Sequence, residues 1–429
     1  MTMTAPSRSP RLLLTLALPG LLTLAACGGG DDAADGAEWA GTIEDSAGVQ
    51  IVRNPDQGTW GADGGMRLVE ELRIGRAEGD PNYQFGLVGS VDVDAAGNIY
   101  VLDQLAQSVR MYDSAGTFVR SLGRPGSGPG ELSRAASAVL VTAGDTIAVP
   151  DVMLQRLSRF TPDGADAGSV PMMMQDGIPL RWEHGGEGRL IVQTMRIPMP
   201  NATNEAGPNN VIVERDLAGT MRDTLKVLAP SESFEMQGQT PVIRIFFPES
   251  IWSPRDAGGV AVALNNQYRV ELYDADGRLE RVIVRDDLAA SPVSDADKST
   301  LRERMSEMMV EQGAPPPVVQ MMTQNMQFGD QFPVLNQLAR GPNGTLWVQR
   351  VRPASEMDFS GSGMAALDMG ARDWDVYDAE GRLLGAVNFP DRFTLLRVRD
   401  DAIYGISRDD LDVASVVRLR IQAGTAESQ

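Results

Sequence analysis

The chain has 429 residues, with 58 Asp or Glu against 38 Lys or Arg, which gives a formal net charge of −20 at pH 7. This acidic excess argues against nucleic acid and anionic lipid surfaces as partners, because both are negatively charged. The only cysteine is Cys27, so no intramolecular disulfide can form and the fold depends on its core alone.

The first elements in chain order are a leader and a tether. Two arginines precede the apolar run LLLTLALPGLLTLAA, which is too short for a spanning helix and predicts a signal peptide over residues 1–26. The stretch LAAC ending at Cys27 resembles the lipobox of bacterial lipoproteins, which implies lipidation of Cys27; a plain secretory signal is the alternative. In that resemblance Gly28 indicates the outer membrane, with the leaflet left open. Residues 27–47 have the composition of a flexible acidic tether.

A repeating unit of strands and turns comes next. GNIYVLD at 97–103 leads to VRMYDSAGTFVRSLG at 109–123, and GTLWVQR at 344–350 leads to WDVYDAEGRLLGAVN at 374–388. Alternating β-branched and aromatic residues between Gly, Asp and Asn turns predict four-stranded antiparallel sheets. The short spacings between units match the about 40–50 residues of a propeller blade, and the long ones predict insertions. Six units begin near residues 89, 137, 180, 249, 335 and 393.

The last unit has three strands before the chain ends. MRLVEELRIG at 66–75 is predicted to supply its fourth strand and close the ring, because an open edge would otherwise separate the first and last blades. GVQIVRN at 48–54 is a further strand without an assigned place. The predicted propeller covers residues 48–424, and residues 425–429 form a tail.

Three recurring segments carry a family resemblance. GNIYVLD, V-x-x-Y/F-D-x-x-G and LGRPGSGPGEL resemble segments of six-bladed β-propeller lipoproteins of bacteria, akin to NHL-repeat propellers, over residues 66–422. The resemblance implies an all-β, six-bladed β-propeller. The glycine-rich stretch 121–132 lacks the Lys of a phosphate-binding loop, so we expect it only to join blade 1 to blade 2.

The long loops of this architecture all fall on one face. In a propeller the second-to-third strand loops and the blade-to-blade connections share a face, and the tight turns occupy the other. Insertions confined to one face predict that this face binds a partner, although chance or shared ancestry of the long loops is the alternative. The long segments are 194–210, 229–248, 286–333 and 351–372.

The insertion at 286–333 has helical spacing. A capping box at Ser294–Asp297 precedes Met305 and Met309, and Met322 belongs to a second short helix. A helical hairpin here is either a lid over the channel or a decoration of the rim. The many methionines on this face suit an apolar ligand or a peptide, Cu(I) coordination, or ordinary core packing.

The sequence contains few residues in arrangements typical of catalytic sites. The only histidine, His184, falls in or beside a tight turn on the opposite face, which argues against a Ser-His-Asp triad and a His-rich zinc site. Asp103 and Asp151 end second strands and are expected near Asn265 and Asn266. Some lactonase-like propellers hold Ca²⁺ with such oxygen ligands, but caps of the strand-end loops are the alternative.

These observations favour a monomeric binding or scaffold module of the cell envelope, attached to the membrane only by its lipid. Its partner is expected to be an envelope protein, a peptide or an apolar ligand on the insertion-rich face. The candidates on that face are Asp103, Asp151, Asn265, Asn266, Met305, Met309 and Met322. No catalytic residue or cofactor is predicted. The alternatives are a Ca²⁺-dependent lactonase-like hydrolase and a methionine-rich periplasmic copper protein.

Overall fold

The computed structural model describes residues 38–60, 65–142, 144–172, 177–185, 188–196, 209–230, 234–237, 240–311, 313–359 and 367–423. The predicted signal peptide, Cys27 and the tail at 425–429 lie outside these residues. The described strands and helices all belong to one compact unit, Ala37–Gln429. Within the described residues, no helix combines the length and apolar character needed to cross a membrane.

The chain forms a six-bladed β-propeller of four-stranded antiparallel blades, which confirms the predicted fold class. Blade 1 contains Val88–Val93, Ile99–Asp103, Ser108–Tyr112 and Phe118–Leu122. Blade 2 contains Leu140–Val141, Ile147–Asp151, Arg156–Phe160 and Asp166–Pro171. Blade 3 contains Ile178–His184, Leu190–Arg196, Asn209–Arg215 and Met221–Val227.

The remaining blades have the same order of strands. In every blade the strands are numbered from the channel outward. Blade 4 contains Ser250–Pro254, Val260–Leu264, Arg269–Tyr273 and Leu279–Val284. Blade 5 contains Leu335–Arg340, Leu346–Val351, Gly370–Tyr377 and Leu383–Asn388. Blade 6 contains Phe393–Arg399, Ala402–Arg408 and Ala414–Ala423, and its outer strand is Met66–Ile74.

The second strand of each blade is packed between neighbouring blades. All five residues of Ile99–Asp103 and of Ile147–Asp151 are buried, which explains their near-continuous apolar sequences. The tight turns are built by Asp and Gly. Asp113, for example, accepts hydrogen bonds from the backbone N–H groups of Ala115 and Thr117, and Gly116 has a φ of 81°, which favours glycine.

The ring closes as the sequence predicts. Met66–Ile74 pairs antiparallel with Ala414–Ala423, so the outer strand of blade 6 comes from the N-terminal side of the chain. Ile74 is 1% exposed and packs with Val416 in the core between blades 6 and 1. The first and last blades are therefore joined without an open sheet edge.

The strand that had no predicted place extends blade 4. Val49–Arg53 pairs in parallel with Leu279–Val284, and Thr42–Ser46, within the predicted tether, pairs with Val49–Arg53. The buried Asn54 then joins this hairpin to blade 5, because its Oδ1 accepts from the backbone N–H of Leu383 at 2.6 Å. Folded structure thus begins before the predicted boundary at residue 48.

The glycine-rich stretch connects blades 1 and 2. Arg124–Pro125 pairs in parallel with Glu131–Leu132, and the Glu131 carboxylate accepts from the backbone N–H of Gly128 at 2.7 Å. Gly126 has a φ of 147°, and a Cβ there would lie 2.1 Å from the Glu131 carboxylate. The glycines therefore serve the geometry of the connection.

Candidate binding face

The insertions of blades 3 to 5 fold together on one face of the propeller. The predicted hairpin consists of helices α1 (Asp295–Glu311) and α2 (Pro316–Gln324). Phe234–Gln237, Thr240–Ile245 and Met326–Phe328 form a three-stranded sheet. Asp358–Phe359 pairs with Leu367–Asp368 in the long loop of blade 5. We call these helices and strands the insertion layer.

The methionines predicted for binding form the core of the insertion layer. Met305 is 0% exposed, and Met309 and Met322 are also buried. They pack with residues of the blade 3–4 connection, including Ile245 and Phe246. Their thioethers therefore fill space between the inserted segments, as flexible apolar side chains often do. Of the other methionines predicted on this face, Met173, Met174, Met199 and Met364 lie outside the described residues.

Asp103 and Asp151 hold the loops at the ends of second strands. The Asp103 carboxylate accepts hydrogen bonds from the backbone N–H groups of Gly86, Leu87, Leu105 and Ala106, at 2.9–3.1 Å. The Asp151 carboxylate accepts from the backbone N–H of Ser133 and from its hydroxyl, both at 2.7 Å. Both aspartates are 0% exposed, so these oxygens face the protein interior.

Asn265 occupies the corresponding place in blade 4. Its Oδ1 accepts from the backbone N–H of Glu249 at 2.9 Å, and the residue is 5% exposed. The next residue, Asn266, is half-buried, and its Oδ1 has no hydrogen-bond partner among the described residues. The four polar candidates thus stand on blades 1, 2 and 4. Among the described residues, no three His, Cys, Asp or Glu side chains form a group able to hold a metal ion.

The other half of this face has short loops with exposed apolar tips. Leu411, Met153 and Leu105 occupy the second-to-third strand loops of blades 6, 2 and 1, with exposed fractions of 83%, 70% and 53%. These blades are consecutive around the ring. Val310 in α1 and Val227 at the end of blade 3 are 61% and 55% exposed. Together they are the five most exposed large apolar side chains in the described part of the chain, and all lie on the insertion-rich face.

A cleft lies on the same face above the junction of blades 4 and 5. The volume of the cleft is about 910 Å³. The start and end of the blade 4–5 connection line one part of it. The segment after Leu346–Val351 and the start of the third strand of blade 5 line another part. Apolar residues such as Phe332 and Val334 alternate there with charged residues. Arg350, Arg352 and Arg372 line it, as do Asp297, Glu356, Asp373 and Asp391.

A group of charged and polar side chains on inner strands lies toward the opposite, tight-turn face. The Arg397 Nη1 donates to Glu183 Oε2 at 2.9 Å, and Arg397 Nε lies 3.4 Å from Asp92 Oδ1. Arg181 Nη2 donates to Glu183 Oε1 at 2.8 Å. His184 Nε2 lies 2.6 Å from Asp92 Oδ2. This network, here called the channel network, joins inner strands of blades 1, 3 and 6, and the cavity beside it in the channel measures only about 30 Å³.

Burial raises the pKa of the Asp92 and Glu183 carboxyl groups, whereas the neighbouring cations lower it. Burial disfavours the charged form of Asp92, but Arg397 and His184 outweigh it and hold the pKa of the carboxyl below its usual value. The pKa of Glu183 is likewise lowered, because Arg181 and Arg397 overcome the effect of burial. Asp92 and Glu183 are therefore charged at neutral pH, and their ion pairs with Arg397 link the inner strands of blades 1, 3 and 6.

Sequence reasoning missed the channel network and the cavity beyond it. His184 ends the inner strand of blade 3 and lines a cavity of about 840 Å³ at the tight-turn face, together with Asp92, Arg397 and Arg340. A usable signal was present, because Asp92, Glu183 and Arg397 are charged residues within innermost strands. Such residues point either into the channel or into the interface between blades.

Comparisons with known proteins agree with the architecture. The DUF5128 family model, described as a 6-bladed beta-propeller, matches residues 83–169, which include blade 1 and nearly all of blade 2. No curated protein matches the sequence.

Several solved structures are similar over most of the chain. A DUF4221 family member from Bacteroides vulgatus has 11% identity and a TM-score of 0.49, covering 84% of this chain and 99% of that one. A protein described as exported, from Bacteroides fragilis, has 11% identity and a TM-score of 0.46, with coverages of 87% and 99%. Regucalcin from Agrobacterium tumefaciens, described as a calcium-binding protein, has 12% identity and a TM-score of 0.41, with coverages of 83% and 95%. Similarities this distant assign no activity to this chain.

Proposed function

We propose that this protein is a docking module of the cell envelope, held near a membrane by a lipid on Cys27, whose insertion-rich face binds another protein. The observation that carries this proposal is the concentration of exposed apolar side chains on that face. Leu411, Met153 and Leu105 project from equivalent loops of three consecutive blades. Isolated exposed apolar residues are ordinary, but their grouping on one face is typical of a protein interface.

The shape of the face supports a protein partner over a small apolar ligand. The insertion layer covers blades 3 to 5, whereas the second-to-third strand loops of blades 6, 1 and 2 are short, so the face has a raised half and a lower platform. The platform residues Leu105, Met153 and Leu411 are spread over three blades, which suits a broad contact. Met305, Met309 and Met322 are buried within the insertion layer, so their side chains are not exposed to a small ligand.

Charge favours a partner with a basic or neutral contact surface. The chain carries a net charge of −20, so an acidic partner would be repelled as it approaches. Loops held by buried carboxylates, such as those of Asp103 and Asp151, also present the platform in a fixed shape. A preformed surface reduces the entropy lost on binding.

Site-specific photocrosslinking in intact cells tests the proposal. Benzoylphenylalanine replaces Leu105, Met153 or Leu411 in turn, and exposed tight-turn residues Ala95 and Ala275 serve as matched controls. We expect one protein adduct of the same mass from all three platform positions and none from the controls. Leu411→Asp should weaken the Met153 adduct about tenfold, since burying a leucine contributes about 1.5–3 kcal/mol. Adducts only with lipid or with a second copy, or equal adducts from the controls, would overturn the proposal.

A further inference from the structure

The cleft above blades 4 and 5 contains an arginine whose hydrogen-bonding capacity is unused. Arg350 is the penultimate residue of the second strand of blade 5, Leu346–Val351, and its side chain is 32% exposed. Its Nε is buried without a hydrogen-bond partner among the described residues. The nearest carboxylate oxygens are Asp375 Oδ1, 3.5 Å from Nε, and Asp373 Oδ2, 3.7 Å from Nη2. Both distances exceed a direct N–H···O hydrogen bond.

The other two arginines of the cleft are occupied. Arg352 donates to the carbonyl oxygen of Gly370 at 2.6 Å and to Asp368 at 3.0 Å. Arg372 donates to the carbonyl oxygen of Phe389 at 2.9 Å and forms an ion pair with Asp391 at 3.3 Å. Arg350 alone among the three therefore combines access to the cleft with uncommitted donors.

The surroundings of Arg350 explain why its ion pairs are long. Asp375 is 4% exposed, and its Oδ2 accepts a hydrogen bond from the Tyr268 hydroxyl at 2.6 Å. Burial raises the pKa of Asp375, and the neighbouring arginines only partly offset this. Arg285 lies 3.8 Å from the same carboxylate and is itself engaged with Asp287. Asp375 is thus shared between two arginines and a tyrosine, which leaves Arg350 without a close partner.

From this arrangement we propose that the cleft is a second binding site, which takes a small carboxylate ligand of the amino acid or short peptide class through Arg350. The two terminal nitrogens of Arg350 donate no hydrogen bond within the described residues, and such a planar fork matches a carboxylate with two parallel hydrogen bonds, whereas the buried Nε takes no part. Phe332 and Val334 provide apolar contact for a side chain. Glu356, exposed on the rim, suits the ammonium group of such a dipolar ligand. This site is separate from the platform of blades 6, 1 and 2.

Titration calorimetry of the full chain with trialanine tests the proposal. We expect saturable binding that falls at least about tenfold when the peptide carboxylate is amidated, because the paired hydrogen bonds are lost. Acetylation of the peptide amine should weaken binding less. Acetate is the probe for the carboxylate alone. We expect acetate to bind more weakly than trialanine, because it lacks the contacts of the peptide chain.

Two glutamine variants separate hydrogen bonding from simple charge. Arg350→Gln and Arg372→Gln each remove one positive charge from the cleft, but only the first removes the uncommitted fork. Arg350→Gln should abolish trialanine binding, Arg350→Lys should reduce it strongly, and Arg372→Gln should retain most of it. Equal losses in Arg350→Gln and Arg372→Gln, or no Arg350-dependent binding of any probe into the millimolar range, would overturn the proposal. Photocrosslinking at the platform is unaffected by either result, so the two proposals can fail separately.

Discussion

Replacing Arg397 with methionine is expected to lower the free energy of unfolding at pH 7 by about 3–5 kcal/mol, because the buried Asp92 and the partly buried Glu183 lose their shared cation. Arg397 is 9% exposed and lies between Asp92, 1% exposed, and Glu183. Urea unfolding followed by tryptophan fluorescence measures the change. Arg399→Met is the matched control: its side chain is 38% exposed and donates to a carbonyl oxygen at the channel mouth, so we expect a loss of at most about 1 kcal/mol.

The same variant has a predictable pH dependence. The pKa values of Asp92 and Glu183 are lowered by folding, so their contribution is fully present above the unfolded-state values of about 4 and is lost as the pH falls through the folded-state values. The difference between the natural chain and Arg397→Met should therefore shrink below about pH 4. A stability difference that is small at pH 7, or that persists unchanged in acid, would contradict the role assigned to the channel network.

Removing the closing strand should have the largest effect on the fold. A chain beginning at residue 76 lacks Met66–Ile74, which supplies the whole outer strand of blade 6 and the buried Ile74. We expect it to lose cooperative unfolding and to associate, because Ala414–Ala423 becomes an open edge next to an exposed core. The expected loss is comparable with the total stability of a domain, about 5–15 kcal/mol. Size-exclusion chromatography and urea unfolding measure both effects.

A chain beginning at residue 56 is the control for this truncation. It loses the N-terminal hairpin on blade 4 but keeps the closing strand, so it should remain monomeric and unfold cooperatively at a lower urea concentration than the full chain. Equal urea midpoints and equal elution of the two truncated chains would show that pairing of Met66–Ile74 with blade 6 does not stabilise the fold.

The fold was accessible from the sequence because its units repeat. Each blade carries its own turn residues, such as Asp113 and Gly116, and each insertion interrupts the repeat visibly. The closing strand could be predicted by counting, since the last unit lacks one strand. The parallel pairing of Val49–Arg53 with blade 4 could not be predicted in the same way. The repeat specifies the four strands of a blade but not which further strand pairs with the outer strand.

The site was less accessible because it depends on distances between remote residues. Asp92 and His184 are 92 positions apart and meet only because their inner strands line one channel. Arg350 is distinguished from Arg352 and Arg372 only by the lengths of its contacts. Helical spacing located Met305, Met309 and Met322 on helices but did not reveal that they face inward. Their binding role therefore stays a sequence-based prediction, as do the Ca²⁺ and copper alternatives.

The rate of thiol labelling at the platform tests the central claim most directly. Cys27 is the only cysteine, so Leu411→Cys adds a single new thiol on the insertion-rich face and Ala95→Cys adds one on the tight-turn face. Labelling with a membrane-impermeant maleimide is compared between native envelopes and the purified protein, with the natural chain as background. We predict that labelling of Leu411→Cys is at least several-fold slower in envelopes, whereas labelling of Ala95→Cys is unchanged. Equal slowing at both positions, or none at Leu411→Cys, would contradict a partner docked on this face.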